Sequence, residues 1–184
     1  MNLNTSLLLQ AIMEQNPSEL QRHLLNGADP NVRDAEGVSA LCLACDDSIP
    51  AESRFEMAKM LIEAGADATL LTPDGTGPLF VCVIAQDLKL LEYLLQHGVD
   101  PNREHDQGER LYDWAEFDYR HDTYGSILPE VPRPSDKMNE DSWLNFLNLL
   151  ADKYGKRPPG ILFALRRAGA RSFEEISETE ASRK

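Results

Sequence analysis

Residues Leu94–Gly108 read LLQHGVDPNREHDQG, and close variants stand twice earlier in the chain. They are LLNGADPNVRDAEG at Leu24–Gly37 and LIEAGADATLLTPDG at Leu61–Gly75. The glycines that open each phrase, Gly27, Gly65 and Gly98, lie 38 and then 33 residues apart. A period in the thirties marks stacked supersecondary units, each too small to bury its own apolar face. The stretch Thr76–Asn102 shows one unit most cleanly. GPLFVCVIAQ supplies a short apolar helix, and Asp87 is placed to cap a second one, LKLLEYLLQHG. Leu88, Leu91, Leu94 and Leu95 give that second helix one apolar face. Gly98 ends it, because glycine takes the left-handed conformation without steric cost, and Pro101 bars its continuation.

Helix, turn, helix and a hairpin-like loop in about 33 residues resemble the ankyrin repeat. GTGPLF, LLQHGVDPN and the return at Gly108 fit that family's pattern without a gap. GVSALCLAC and LIEAGADA fit as the preceding unit, lengthened within DDSIPAESRF, and the stretch beginning NTSLLLQAIM fits as an N-terminal cap. The resemblance covers residues 5–120. It implies an all-α ankyrin repeat solenoid of about four helix-turn-helix units with a C-terminal helical extension. The expected divisions are a capping unit at 1–37, repeats at 38–75 and 76–108, a divergent repeat with a long insertion and a capping helix at 109–172, and a tail at 173–184. The family's Thr-Pro start is replaced by Ser39-Ala40, Gly77-Pro78 and Arg110-Leu111, and its histidine position by Cys42, Phe80 and Asp113. Hydrogen bonds between units should therefore be fewer and the array less stable than an idealised one.

After Gly108, ERLYDWAEFDYR reads as a fourth inner helix, and HDTYGSILPEVPRPSDK as a long proline-rich loop, either mobile or ordered by a partner. NEDSWLNFLNLLADKYG then predicts an amphipathic helix with Trp143, Phe146, Leu147 and Leu150 on one side. PPGILFALRRAGARSF repeats the helix-then-glycine ending, and residues 177–184 read as a frayed end.

The whole chain carries a net charge of −13. Residues 1–107 hold 17 acids against 6 bases, whereas residues 108–184 hold 14 against 12. Such an acidic array repels phosphate backbones, which disfavours nucleic acid as a partner. No run of apolar residues is long enough to span a membrane. No Lys or Arg precedes Arg22 and the first apolar run breaks at Gln10, so no leader is expected and a cytoplasmic location is. The six bases between Lys153 and Arg171, with no acid among them, stand out as a possible second contact region.

Catalysis finds little support. CLAC at Cys42–Cys45 lacks the further ligands that zinc requires, and small buried thiols are the expectation. His23 and His97 fall in last helical turns, where a cation suits the helix dipole. His105 and His121 are expected in loops. The acid pairs Asp46–Asp47 and Glu140–Asp141 sit at helix edges, where capping or solvation is the ordinary role. The expectation is a non-catalytic protein with no cofactor and no metal, monomeric when free.

What the family resemblance implies instead is binding through loop tips and the ends of inner helices. Carried over by register, these positions are Glu36, Val38, Asp46, Asp47, Asp74, Thr76, Asp106, Glu109, Phe117 and Asp118. Ala35, Pro73, Ile84, Ala85 and Gln107 accompany them. Acids predominate and bases are absent, so the implied partner is a protein with a basic surface. An immunity or inhibitor protein that occludes such a partner, for instance a bacterial toxin, is the first expectation. A scaffold joining two proteins is the second.

Overall fold

The computed structural model describes residues 3–102, 110–125 and 127–181. The chain forms two compact units that divide at Asp100–Pro101. The first contains three helix pairs: α1 (Leu3–Met13) with α2 (Pro17–Leu25), α3 (Ala40–Ala44) with α4 (Ala51–Glu63), and α5 (Pro78–Ile84) with α6 (Leu88–Gln96). The inner helices α1, α3 and α5 pack in one row and the outer helices α2, α4 and α6 in another. Capping sets the starts. Asn16, Ser39 and Asp87 each accept a backbone N–H from the first turn of their helix, and Pro17 and Pro78 occupy first helical positions. Gly27, Gly65 and Gly98 follow the outer helices with φ between 79° and 93°, as left-handed endings require.

Burial follows the repeat with one shift. Leu91 and Leu94 are fully buried, but Leu90 joins them where Leu88 was expected, and Leu88 is exposed. Asp87 caps the helix, which leaves Leu88 at its open N-terminus and turns Leu90 inward. His23 occupies the place that Leu61 and Leu94 hold in later outer helices, three or four residues before the turn, and is buried with them. It lies in the last turn as expected, but inside the stack rather than on its surface. Cys42 and Cys45 are buried too. The Cys42 thiol meets the Leu70 carbonyl of the following loop at 4.0 Å. Burial pushes that thiol's pKa up to about 11.

Between the first two pairs the turn is stitched by an asparagine. The Asn31 amide donates to the Gly65 carbonyl at 3.2 Å and accepts from the Asp67 N–H at 2.6 Å, so the turn of one repeat fixes the next. Thr69 stands at the corresponding place after α4, and its hydroxyl turns back onto Asp67.

The second unit contains α7 (Leu111–Tyr124), a 3-10 helix (Pro134–Lys137), α8 (Glu140–Lys153), α9 (Gly160–Arg167) and α10 (Phe173–Ala181). Helix α7 runs past the expected stop and takes in His121, which was expected in a loop. The extra turn has anchors: the Tyr119 hydroxyl donates to the Arg157 carbonyl at 2.7 Å, and Arg157 pairs with Asp122 at 3.3 Å. Helix α9 packs on α7. The Asn102 amide donates to the Gly169 carbonyl at 2.9 Å and accepts the Arg171 N–H at 2.8 Å. Those are the bonds Asn31 makes to Gly65 and Asp67, so α9 ends as α4 does. In α8 the buried stripe is Leu144, Leu147, Leu150 and Ala151, while Trp143 and Phe146 stack at its half-buried edge, 5.4 Å apart. Helix α10 occupies most of the expected tail, held by the Phe173 N–H on Asp113 and by Glu175 on Arg166.

Candidate binding surface

Each of the two described loop tips in the first unit is built by an Asx or hydroxyl bond that closes a narrow finger. In the first, the Asp34 carboxylate accepts the Val38 N–H at 2.8 Å, Arg33 and Ser39 form an antiparallel bridge, and Gly37 turns with φ 83°. In the second, Thr72 donates its hydroxyl to Asp74 and its N–H to the Thr76 carbonyl, and Gly75 turns with φ 82°. Arg33 ties the fingers together by donating to the Gly37 carbonyl at 2.5 Å and the Leu71 carbonyl at 2.7 Å. Pro73 lies so close to Gly37 that a Cβ there would sit 2.8 Å from the proline ring.

This packing makes a direct expectation. Gly37→Ala should cost about 1–3 kcal/mol, from an unfavourable φ and the clash with Pro73. Gly27→Ala, with a similar φ but open space around it, should cost measurably less. Urea unfolding of both variants checks this, and equal costs would show that Pro73 yields freely.

The joined fingers bring Glu36 and Asp74 onto adjacent tips, one residue from Gly37 and from Pro73 respectively. Both carboxylates are exposed, as are Asp46 and Asp47 just beyond α3. Val38 and Thr76 lie half-buried on the returning arms. Ile84 is exposed at the end of α5. The hydrogen bond from the Thr72 hydroxyl holds the Asp74 carboxyl below its ordinary range, so it stays ionised.

Asp106 and Glu109 lie outside the described residues. Phe117 and Asp118 belong to the second unit, in the middle of α7 rather than at its end, because that helix continues to Tyr124. Phe117 is exposed and stacks on His121 at 6.0 Å. The structure thus gathers Glu36 and Asp74 with Val38 and Thr76 on the fingers, places Asp46 and Asp47 in the same unit, and puts Phe117 and Asp118 in the other.

Charge balance strengthens the surface. Five basic residues belong to the first unit, and each is engaged. Arg22 holds Glu19, Arg33 holds two carbonyls, Arg54 faces Asp87, Lys59 faces Glu63, and Lys89 sits 3.8 Å over the Phe55 ring. Only Arg22, Arg54 and Lys59 face carboxylates, and no ion pair among the described residues reaches Glu36 or Asp47. The run Lys153–Arg171 behaves oppositely: Lys153 pairs with Glu130, Arg157 with Asp122, and Arg166 with both Asp141 and Glu175. Half of its bases are thereby committed, which removes much of its apparent positive character.

The second unit also contains a groove of about 890 Å³, which the sequence reading did not find. Its walls are α7, residues 127–132, the start of α8 and the start of α10. The available signal was the spacing of Ile127 and Val131 within an otherwise polar, proline-rich stretch. Among the described residues no group of His, Cys, Asp and Glu could hold a metal ion.

Comparison with known proteins adds the following. Residues 8–105 match the family model described as ankyrin repeats in three copies. The human ankyrin repeat and SOCS box protein 16 is 35% identical over 86 residues, 46% of this chain and 18% of that protein. A putative ankyrin repeat protein of Acanthamoeba polyphaga mimivirus is 25% identical over 111 residues, 60% of this chain and 14% of that protein. The ankyrin repeat domain-containing protein M-T5 of Myxoma virus is 31% identical over 86 residues, 45% of this chain and 18% of that protein. The chain spans less than a fifth of the length of each of these relatives.

Proposed function

The chain belongs to the ankyrin repeat family, and from that premise we propose that it acts by binding a protein partner rather than by catalysis. The partner presents a basic surface to Glu36, Asp46, Asp47 and Asp74, with Val38 and Thr76 in the returning arms beneath the tips. Asp106 by sequence register in the first unit, and Glu109, Phe117 and Asp118 in the second unit, are proposed as further contact residues, each within its own unit. The observation that carries this reading is the charge balance of the first unit, where acids far outnumber bases and no ion pair among the described residues engages Glu36, Asp46, Asp47 or Asp74. Charge of one sign on a protruding edge steers an oppositely charged partner.

Occlusion of such a partner, as an immunity or inhibitor protein would do to a toxin, fits a small acidic chain of this kind. The scaffold reading has its own support in the separate groove of the second unit, which would allow a second protein to be held. In the same proposal residues 109–172 act as a divergent repeat, because Asn102 bonds beyond α9 as Asn31 bonds beyond α4.

Association kinetics test the charge reading. The tagged chain, used to isolate its partner at low ionic strength, should associate with it at a rate that falls steeply as salt is added. A partner whose association rate ignores salt would remove the finger acids from the account.

A further inference from the structure

The groove in the second unit is unlike the finger surface in its chemistry. Four of the most exposed large apolar side chains in the described chain, Ile127, Val131, Met138 and Phe173, lie along it, at 81%, 91%, 76% and 60% exposure. Exposure of that order concentrated on one concavity marks a place where another molecule removes apolar surface from water. The polar part has a different character. Tyr112 is fully buried and lines the groove, yet its hydroxyl has no hydrogen-bond partner. A buried hydroxyl left unpaired is costly, and native structures rarely leave one without purpose.

Glu140, Glu116 and Glu175 act on that tyrosine, with Arg166 5.4 Å over its ring, and Asp113 lines the same groove. Asp113 and Glu140 are half-buried, and desolvation raises the pKa of each. Glu140 is further opposed by Glu175 and Asp113, against the hydrogen bond of Ser172 and the charge of Arg166. Nearby cations are already engaged: Arg166 by Glu175 and Asp141, and Arg120 by Glu116, whose carboxylate also accepts the Trp143 indole N–H at 2.7 Å. Lys137 lies at the rim and is exposed. The groove therefore offers an apolar rim over acceptors in excess of donors.

We propose that this groove is a docking site for a peptide segment of a partner protein in which an arginine is flanked by aliphatic side chains. A guanidinium is the group that suits the floor, because it carries five donors and no acceptor, and it is less strongly hydrated than an ammonium. It donates to the Asp113 and Glu140 carboxylates, which also hold the Phe173 N–H and Ser172, and, once the groove side chains part, to the buried Tyr112 oxygen, relieving the repulsion between the acids. The aliphatic neighbours cover Ile127, Val131 and Phe173. The site is independent of the fingers of the first unit.

A fluorescent, end-capped hexapeptide with one arginine between leucines is the probe, titrated against the full chain. The control peptides replace the arginine by glutamine, or the leucines by serine. The arginine peptide should bind, and each control should bind at least about tenfold more weakly. Glu140→Gln should reduce affinity for the arginine peptide and leave the glutamine peptide unaffected. Because Asp113 and Tyr112 also contribute to packing, the variants Ile127→Ser and Val131→Ser, at exposed positions, keep the test clear of folding. Each should weaken both leucine-containing peptides alike. Reversal of Glu36 and Asp74 to lysine should leave peptide binding unchanged, so failure of the finger reading and failure of this one are told apart. Equal binding of arginine and glutamine peptides, or binding indifferent to Glu140→Gln, or no binding of the arginine peptide, would overturn the assignment.

Discussion

Asp87→Ala lowers the stability of the chain by about 3–5 kcal/mol, the cost expected when a buried charge loses its partner. Two functions of one carboxylate are lost together. One oxygen accepts the Leu90 N–H at 3.0 Å and caps α6, and the other lies 3.4 Å from the Arg54 Nε on α4. Both side chains are less than a tenth exposed, so solvent does not screen the pair. Neither Arg54 Nε nor Nη1 makes a hydrogen bond, so attraction alone offsets the desolvation of the guanidinium. Two further variants separate cap from charge. Asp87→Asn keeps a capping side chain and leaves Arg54 unpaired, and should still be strongly destabilised. Adding Arg54→Met to it removes the buried charge, and should recover most of the loss. Urea midpoints at constant m-value are the measurement. If Asp87→Ala costs no more than the loss of a cap, about 1 kcal/mol, the pair contributes nothing to holding the outer helices together.

Glu36→Lys combined with Asp47→Lys is expected to weaken partner binding most. Among the described residues neither carboxylate has a partner within the protein, so reversal changes the outward charge by four without breaking an internal bond. Each desolvated pair lost to the partner should cost about 2–5 kcal/mol, while rim pairs mainly slow association. The rate should fall, and its dependence on salt should flatten or change sign. Asp74→Lys belongs in a separate variant, since it also removes the acceptor of the Thr72 hydroxyl and loosens the finger. Binding by the double variant with an unaltered rate and salt response would falsify the proposed surface, provided its circular dichroism and melting match those of the parent chain.

Much of the fold was legible because it rests on local rules repeated in register. Gly27, Gly65 and Gly98 mark where outer helices end, and Asp87 announces the start of one, from backbone chemistry that needs no knowledge of neighbours. Interactions across sequence were not legible in this way. Nothing local says that His23 fills a leucine's place, and only comparison of the three turns in register exposes it. The extension of α7 to Tyr124 depends on Arg157, 38 residues away from Tyr119. The basic run from Lys153 looked like a feature in its own right until Glu130, Asp122, Asp141 and Glu175 were found opposite it. For the candidate surface, the finger tips followed from the repeat, whereas Phe117 and Asp118 were misjudged as helix ends because that stop lies further on. The spacing of Ile127 and Val131 hints at one wall of the groove, but the others come from separate segments that no local pattern joins.

The asparagine stitches have a consequence for the lifetime of the folded chain. Asn31 and Asn102 each work because an amide is donor and acceptor at once, facing a carbonyl with its nitrogen and an N–H with its oxygen. Hydrolysis of such an amide, the commonest slow damage to asparagine, leaves a carboxylate that can only accept. The oxygen that replaces the nitrogen then opposes the Gly65 or Gly169 carbonyl instead of binding it. A single atom's exchange, invisible to sequence length or mass beyond one dalton (about 1 Da), turns a clasp into a repulsion. Such damage at Asn31 loosens the joint between the first two repeats, and at Asn102 the hold on the end of α9, without touching a helix.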